Sequence, residues 1–227
     1  MAADSNVVGY NTVRPDGAYY MLGFSFTECQ TGDARKLDKL VGAFTSGDQI
    51  QLPITMPDGV QYDFVIYQYL TLDDDGMPDG WYDGSWGYIG DDVELPQGDG
   101  AWYYSATGLK DVTVAGEVSK ALFSKTFVGA YTMTATGFPV EFNPNDSKFM
   151  WSMSSGDQIQ VPFTMAGGIQ YDFDIYQYLT LDDDGMPDGW YDGSWGLIDT
   201  AIAGIGQGFW VYSQNGGSML ETSPIAD

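Results

Sequence analysis

Hydrophobic and polar residues alternate along much of this chain with a period of two, the spacing of a half-buried strand rather than of a helix. The run "QYDFVIYQYLTL", from Gln61, shows it best, and its Tyr, Phe, Val and Ile suit a pleated surface. Thirty glycines and ten prolines break the pattern at strand-length intervals, so it predicts an all-β fold of short antiparallel strands. Only "DARKLDKLVGAF", from Asp33, reads as one short helix. Its counterpart "NPNDSKFMWSM", from Asn143, reads as a loop or a single turn.

The pattern occurs twice. A stretch of 44 residues beginning at Ser46 returns at Ser155, at a constant offset of 109, with seven positions changed. Weaker echoes extend both ways: "GAYYMLGFSF" at Gly17 answers "GAYTMTATGFPV" at Gly129, and "GDGAWYYS" at Gly98 answers "GQGFWVYS" at Gly206. "NVVGY" at Asn6 resembles "TVAGE" at Thr113. Two tandem duplicated antiparallel β-sandwich-like domains are therefore expected, over residues 1–112 and 113–227. "GLKDVTVAGEVS" would be a strand running straight from one into the next.

Comparing the copies assigns faces. Val65 becomes Asp174, so the strand face carrying Asp63, Val65, Tyr67 and Tyr69 reads as wet. Tyr62, Phe64, Ile66 and Leu70 then point inward. On this reading Tyr67, Tyr69, Tyr176 and Tyr178 are displayed outward with Trp81, Trp86, Trp190 and Trp195, as an interface or a ligand platform.

The arrangement "NVVGY…GAYYMLGFSF…GDQIQL…YDFVIYQY…WYDGSWG…LPQGDGAWYYS…DVTVAGEV" resembles a repeat of secreted planctomycete and verrucomicrobial proteins. Those carry a "G-x-G-F-[FW]-V" strand followed by a "TVTFVGEV" strand. The resemblance implies an extracellular β-rich protein and brings no activity and no catalytic residue with it.

Charge narrows the partners. Thirty-two acids against eight bases leave a net charge of -24, which repels nucleic acid and anionic lipid, both held mainly by Lys and Arg. No apolar run is long enough to span a bilayer as a helix, so membrane insertion is not expected. The opening "MAADSNVV" is compatible with a chain whose secretion signal has been removed. Histidine is absent and Cys29 is the one cysteine. Ser-His-Asp and Cys-His nucleophile systems and His-containing zinc sites are thereby excluded. Cys29 reads as a buried small hydrophobe or as a free thiol able to link chains.

The most acidic stretch, "LDDDGMPDGWYDGSWG", occurs unchanged at Leu72 and Leu181. It is similar to the calcium loops of EF-hand, dockerin and thrombospondin type 3 repeats. The similarity implies Ca2+ held by Asp73, Asp75, Asp79 and the Met77 carbonyl, with Asp83 following, and by Asp182, Asp184, Asp188, the Met186 carbonyl and Asp192. Thr71 and Thr180 stand where such loops begin with an acid, and Tyr82 and Tyr191 where they end with one. The competing reading is a plain acidic hairpin turn. A third makes the Trp residues, with Trp102 and Trp210, stacking surfaces for sugar rings.

No aspartate pair stands out as an acid–base couple, so an enzyme is not expected. The bases are segregated: none lies between Lys39 and Lys110, and none follows Lys148. That asymmetry, together with terminal segments that look like incomplete joining strands, suggests head-to-tail association of the chain with itself. The sequence thus reads as a secreted, non-enzymatic structural protein, the self-assembling subunit of a filament, sheath or surface layer, stabilised by calcium if the acidic loops bind it. The alternative is a tandem carbohydrate-binding protein using exposed Tyr and Trp.

Overall fold

A computed structural model describes residues 7–27, 35–56, 61–71, 77–89, 92–180 and 186–225. The fold is all-β, as the alternation predicts. The first eight strands are β1 (Val8–Val13), β2 (Tyr19–Gly23), β3 (Val41–Gly42), β4 (Gln49–Thr55), β5 (Gln61–Leu70), β6 (Gly80–Tyr82), β7 (Gly100–Tyr104) and β8 (Val112–Glu117). They form a five-stranded antiparallel sheet, β2-β7-β4-β5-β6, and a three-stranded sheet, β1-β8-β3. The next eight are β9 (Phe123–Phe127), β10 (Ala130–Thr134), β11 (Phe149–Ser152), β12 (Gln158–Thr164), β13 (Tyr171–Leu179), β14 (Gly189–Tyr191), β15 (Phe209–Ser213) and β16 (Gly217–Glu221). Their sheets, β10-β15-β12-β13-β14 and β11-β16-β9, repeat the same order strand for strand. Each pair of sheets encloses its own core, around Leu22, Ile50, Trp81 and Tyr103 in the first unit and Ile159, Trp190, Phe209 and Val211 in the second.

Three local expectations change. The helix predicted from Asp33 is a single 3-10 turn, Leu37–Lys39, whose one apolar anchor is the buried Leu37. The presumed loop after Asn143 contains β11, where Phe149 and Trp151 pair with β16. The strand Val112–Glu117, placed by sequence at the head of the second repeat, instead lies antiparallel beside β1, with Tyr10 opposite Ala115. The two echoing segments are neighbours in one sheet. β9 is the true counterpart of β1, and β16 that of β8.

The units meet through equivalent pairs of contacts. The Gly23 amide donates to the Gly206 carbonyl at 2.7 Å, and the Ala135 amide to the Gly98 carbonyl at 3.0 Å. Leu22 bridges to Gln207 just as Thr134 bridges to Asp99. Between the sheets lies a small apolar cluster of Met21, Trp102 and Met133, flanked by Phe64, Phe173 and Trp210. An interface in which one patch meets its own equivalent is isologous and closes on itself.

That interface explains why the strand faces invert. Tyr67 and Tyr69, expected outside, pack on the first unit's core, and Tyr176 and Tyr178 do the same in the second. Phe64, expected in its own core, packs into the cluster between the units. The other face of β5 and of β13 is covered only in part: Phe64 and Phe173 pack between the units, whereas Ile66, expected inward, and its counterpart Ile175 are exposed. Asp174 and its counterpart Val65 are both exposed, so the substitution falls at a position that is wet in either copy.

Candidate functional site

Trp86 and Trp195 stand apart from the other tryptophans. They are 67% and 65% exposed, and both hold a φ of 65°. A bulky L-residue in left-handed backbone is strained by about 1–2 kcal/mol, and such strain persists only where the surroundings over-determine it. Here they do. The hairpin that β6 makes with Tyr88 turns through Asp83–Gly87, and one Asp83 carboxylate oxygen accepts the Ser85 and Gly87 amides, both at 2.8 Å. The Asp83 amide donates to the Gly87 carbonyl at 3.0 Å, and the Trp86 amide to the Asp83 carbonyl at 3.0 Å. Asp192 holds Ser194 and Gly196 at the same distances and so fixes Trp195. The result is a rigid turn that displays an indole where glycine would sit without strain.

The remaining sequence-predicted residues scatter around this motif. Trp81 and Trp190, expected as platforms, are buried in the cores, because the short strands β6 and β14 point them inward under the three-stranded sheets. Trp102 lies in the interface between units, where its ring sits 4.5 Å from that of Tyr171. Trp210 packs there against Phe64. Tyr67 and Tyr176 border the hairpins. Burial and the nearby Asp83 raise the Tyr67 phenol above its ordinary pKa. Burial, then Asp174 and Asp192, do the same for Tyr176. Burial, then Asp79 and Tyr88, raise Tyr69, and burial with Asp188 raises Tyr178.

Of the proposed calcium ligands, Asp73, Asp75, Asp182 and Asp184 lie outside the described residues, as does Cys29. Met77 and Met186 are exposed. Asp83 and Asp192 are engaged by their own turn amides. Among the described residues no group of three or more His, Cys, Asp or Glu is placed to hold a metal.

The bases are engaged within the chain. Arg14 grips Asp111 through two parallel hydrogen bonds, Lys110 pairs with Asp48, Lys125 with Asp99 across the two units, and Lys148 with Asp146. Lys39 meets Asp38, and Arg35, Lys36 and Lys120 also have partners. Each of the eight bases thus has at least one partner within the molecule.

Sequence reasoning missed the grooves beside the second hairpin. One, about 350 Å³, is lined by Asp174, Tyr176, Asp192 and the segment 197–202. Another, about 380 Å³, opens between the units beside Tyr19, Phe163 and Tyr171. Differences between the copies at Phe163 and Asp174, where the first has Ile54 and Val65, were signals in the sequence pointing to them. The chain matches no family model, no curated protein and no solved structure.

Proposed function

We propose that this chain is a secreted, non-enzymatic carbohydrate-binding protein with two binding units in tandem. The observation that carries the reading is the pair of indoles, Trp86 and Trp195, held exposed in strained backbone at matching positions. An exposed ring offers a flat apolar surface for the C–H face of a sugar, and its low conformational freedom keeps the entropic cost of contact small. Two such units on one chain would bind a polymer with avidity that neither reaches alone. The net charge of -24 disfavours sulfated or uronic acid polymers and selects neutral ones. Affinity electrophoresis through gels containing neutral β-glucan or mannan tests the reading. Retardation that Trp86→Ala/Trp195→Ala removes supports it, and unretarded migration in every gel defeats it.

Self-assembly into a filament, sheath or surface layer is the second reading. The edge strand β1 favours it: Tyr10 is 77% exposed, as is Val8 to a similar degree, and such an edge can pair with a second copy. Calcium bound by the acidic loops would stiffen the assembly. Sedimentation velocity with calcium, and again with a chelator, tests both points; a monomer in each condition removes this reading.

A further inference from the structure

The groove between the units and the groove beside the second hairpin share Asp174 and Ile202 as lining residues, so they abut as the two halves of one trench interrupted at those side chains. It starts in the cleft between the units, where the rings of Tyr19 and Tyr171 lie 5.8 Å apart. From there it follows β13 past Asp174 to Asp192, the residue that fixes Trp195. From Tyr171 to Tyr176 a strand advances about 17 Å at roughly 3.4 Å per residue, and each half of the trench falls in the range of about 300–1,000 Å³ common for ligand sites. We propose that this trench binds a linear, neutral oligosaccharide, and that the second unit is the one specialised for it.

The lining argues for that ligand. One end is walled by aromatic rings, Tyr19, Phe163 and Tyr171, which suit apolar sugar faces. Further along, the carboxylates of Asp174, Asp192 and Asp199 and the hydroxyl of Thr200 supply mainly acceptors. An acceptor-rich lining calls for a donor-rich ligand, and a chain of sugar hydroxyls provides donors at every ring. Anionic ligands are repelled by the same carboxylates. Within the 44-residue repeat the two copies differ at four lining positions: Val161, Phe163, Asp174 and Leu197 replace Leu52, Ile54, Val65 and Tyr88 of the first copy. The ring and the acceptor on which the trench depends are thus features of the second copy.

This inference rests on the glycan reading, and the internal duplication supplies its test. Phe163→Ile/Asp174→Val installs residues that the first copy already accommodates in the same strands, so folding is expected to persist, with an unchanged melting temperature as the check. Calorimetric titration with neutral hexasaccharides of β-1,4-glucose, β-1,3-glucose and β-1,4-mannose is expected to find one that binds the natural chain. The double variant should bind that hexasaccharide at least tenfold more weakly. Equal affinity in the Phe163→Ile/Asp174→Val variant overturns the trench and leaves the tryptophan reading standing. If no hexasaccharide binds the natural chain and no gel retards it, both are overturned.

Discussion

The Gly208 amide donates to the Met21 carbonyl at 2.8 Å across the boundary between the two units. A Cβ on Gly208 would stand 2.8 Å from the Met21 Cγ, and a Cβ on Gly100 2.8 Å from the Met133 Cγ. Two glycines and two methionines thus exchange places about the same two-fold-like relation, and the missing side chains allow the sheets to touch. A valine at Gly208 forces either strand β2 or the methionine to move. Gly208→Val is expected to cost about 1–3 kcal/mol, as overpacking does, and to splay the units. An increased radius of gyration in small-angle scattering would register the splaying; an unchanged radius and stability would mean that the interface is softer than its geometry implies.

Trp86→Gly and Trp195→Gly should move stability and binding in opposite directions. Glycine adopts φ of 65° without strain, and an indole that is two-thirds exposed contributes little packing. Each substitution is expected to leave stability equal or raise it by up to about 1 kcal/mol, less glycine's own entropic cost. Glycan binding should fall. A large loss of stability on denaturant titration would instead make the indoles structural.

The strand pattern and the duplication were legible because both leave marks in the order of residues: a period of two, and a stretch of 44 residues repeated at a fixed offset. The faces of β5 and β13 were not. An alternating strand shows that its two sides differ, but Tyr67 and Phe64 are both aromatic and both covered, one by its own unit and the other by the second. Nothing local distinguishes a core from an interface between duplicated units. Similarly, β1 and β8 look alike because both alternate small and apolar residues, and that resemblance turns out to reflect pairing within one sheet. Trp86 was legible as an aromatic candidate, whereas its backbone strain depends on how Asp83 closes the turn.

A buried aspartate at the start of β4 and β12 provides a comparison within one molecule. Asp48 accepts the Thr45 and Ala106 amides at 2.9 Å and pairs with Lys110 at 2.6 Å. Asp157, its counterpart, accepts the Ser154 and Gln214 amides and the Ser213 hydroxyl, with no cation in the group. Asparagine at either position disturbs the same amide contact, but only Asp48→Asn leaves a largely buried ammonium unpaired. It is expected to cost about 2–3 kcal/mol more than Asp157→Asn. Adding Lys110→Met to Asp48→Asn should recover most of the difference. A double-mutant cycle by thermal denaturation measures it, and equal costs for the two aspartates would show that Lys110 contributes nothing through its charge.

Glu221 supplies the pH dependence. It lies buried on β16, where the Gly137 amide donates to one carboxylate oxygen at 2.7 Å and the other oxygen has no close hydrogen-bond partner among the described residues. Burial is the largest influence and raises its pKa to about 7, against a smaller opposing effect of the Gly137 amide and Lys148. The folded protein therefore holds this proton more tightly than the unfolded chain, whose glutamate titrates at 4.5. The stability contributed by the protonated form is complete below about pH 4.5, declines as the pH rises, and is lost once it passes about 7. The span corresponds to about 3 kcal/mol at most, from roughly 1.4 kcal/mol per pKa unit. Glu221→Gln keeps an acceptor for the Gly137 amide and cannot ionise. It should therefore be more stable than the natural chain at pH 8 and little different at pH 4.5. Chemical denaturation of both proteins across that range reads the difference directly, and curves that stay parallel from pH 4.5 to 8 would show that Glu221 ionises in the folded state as readily as in water.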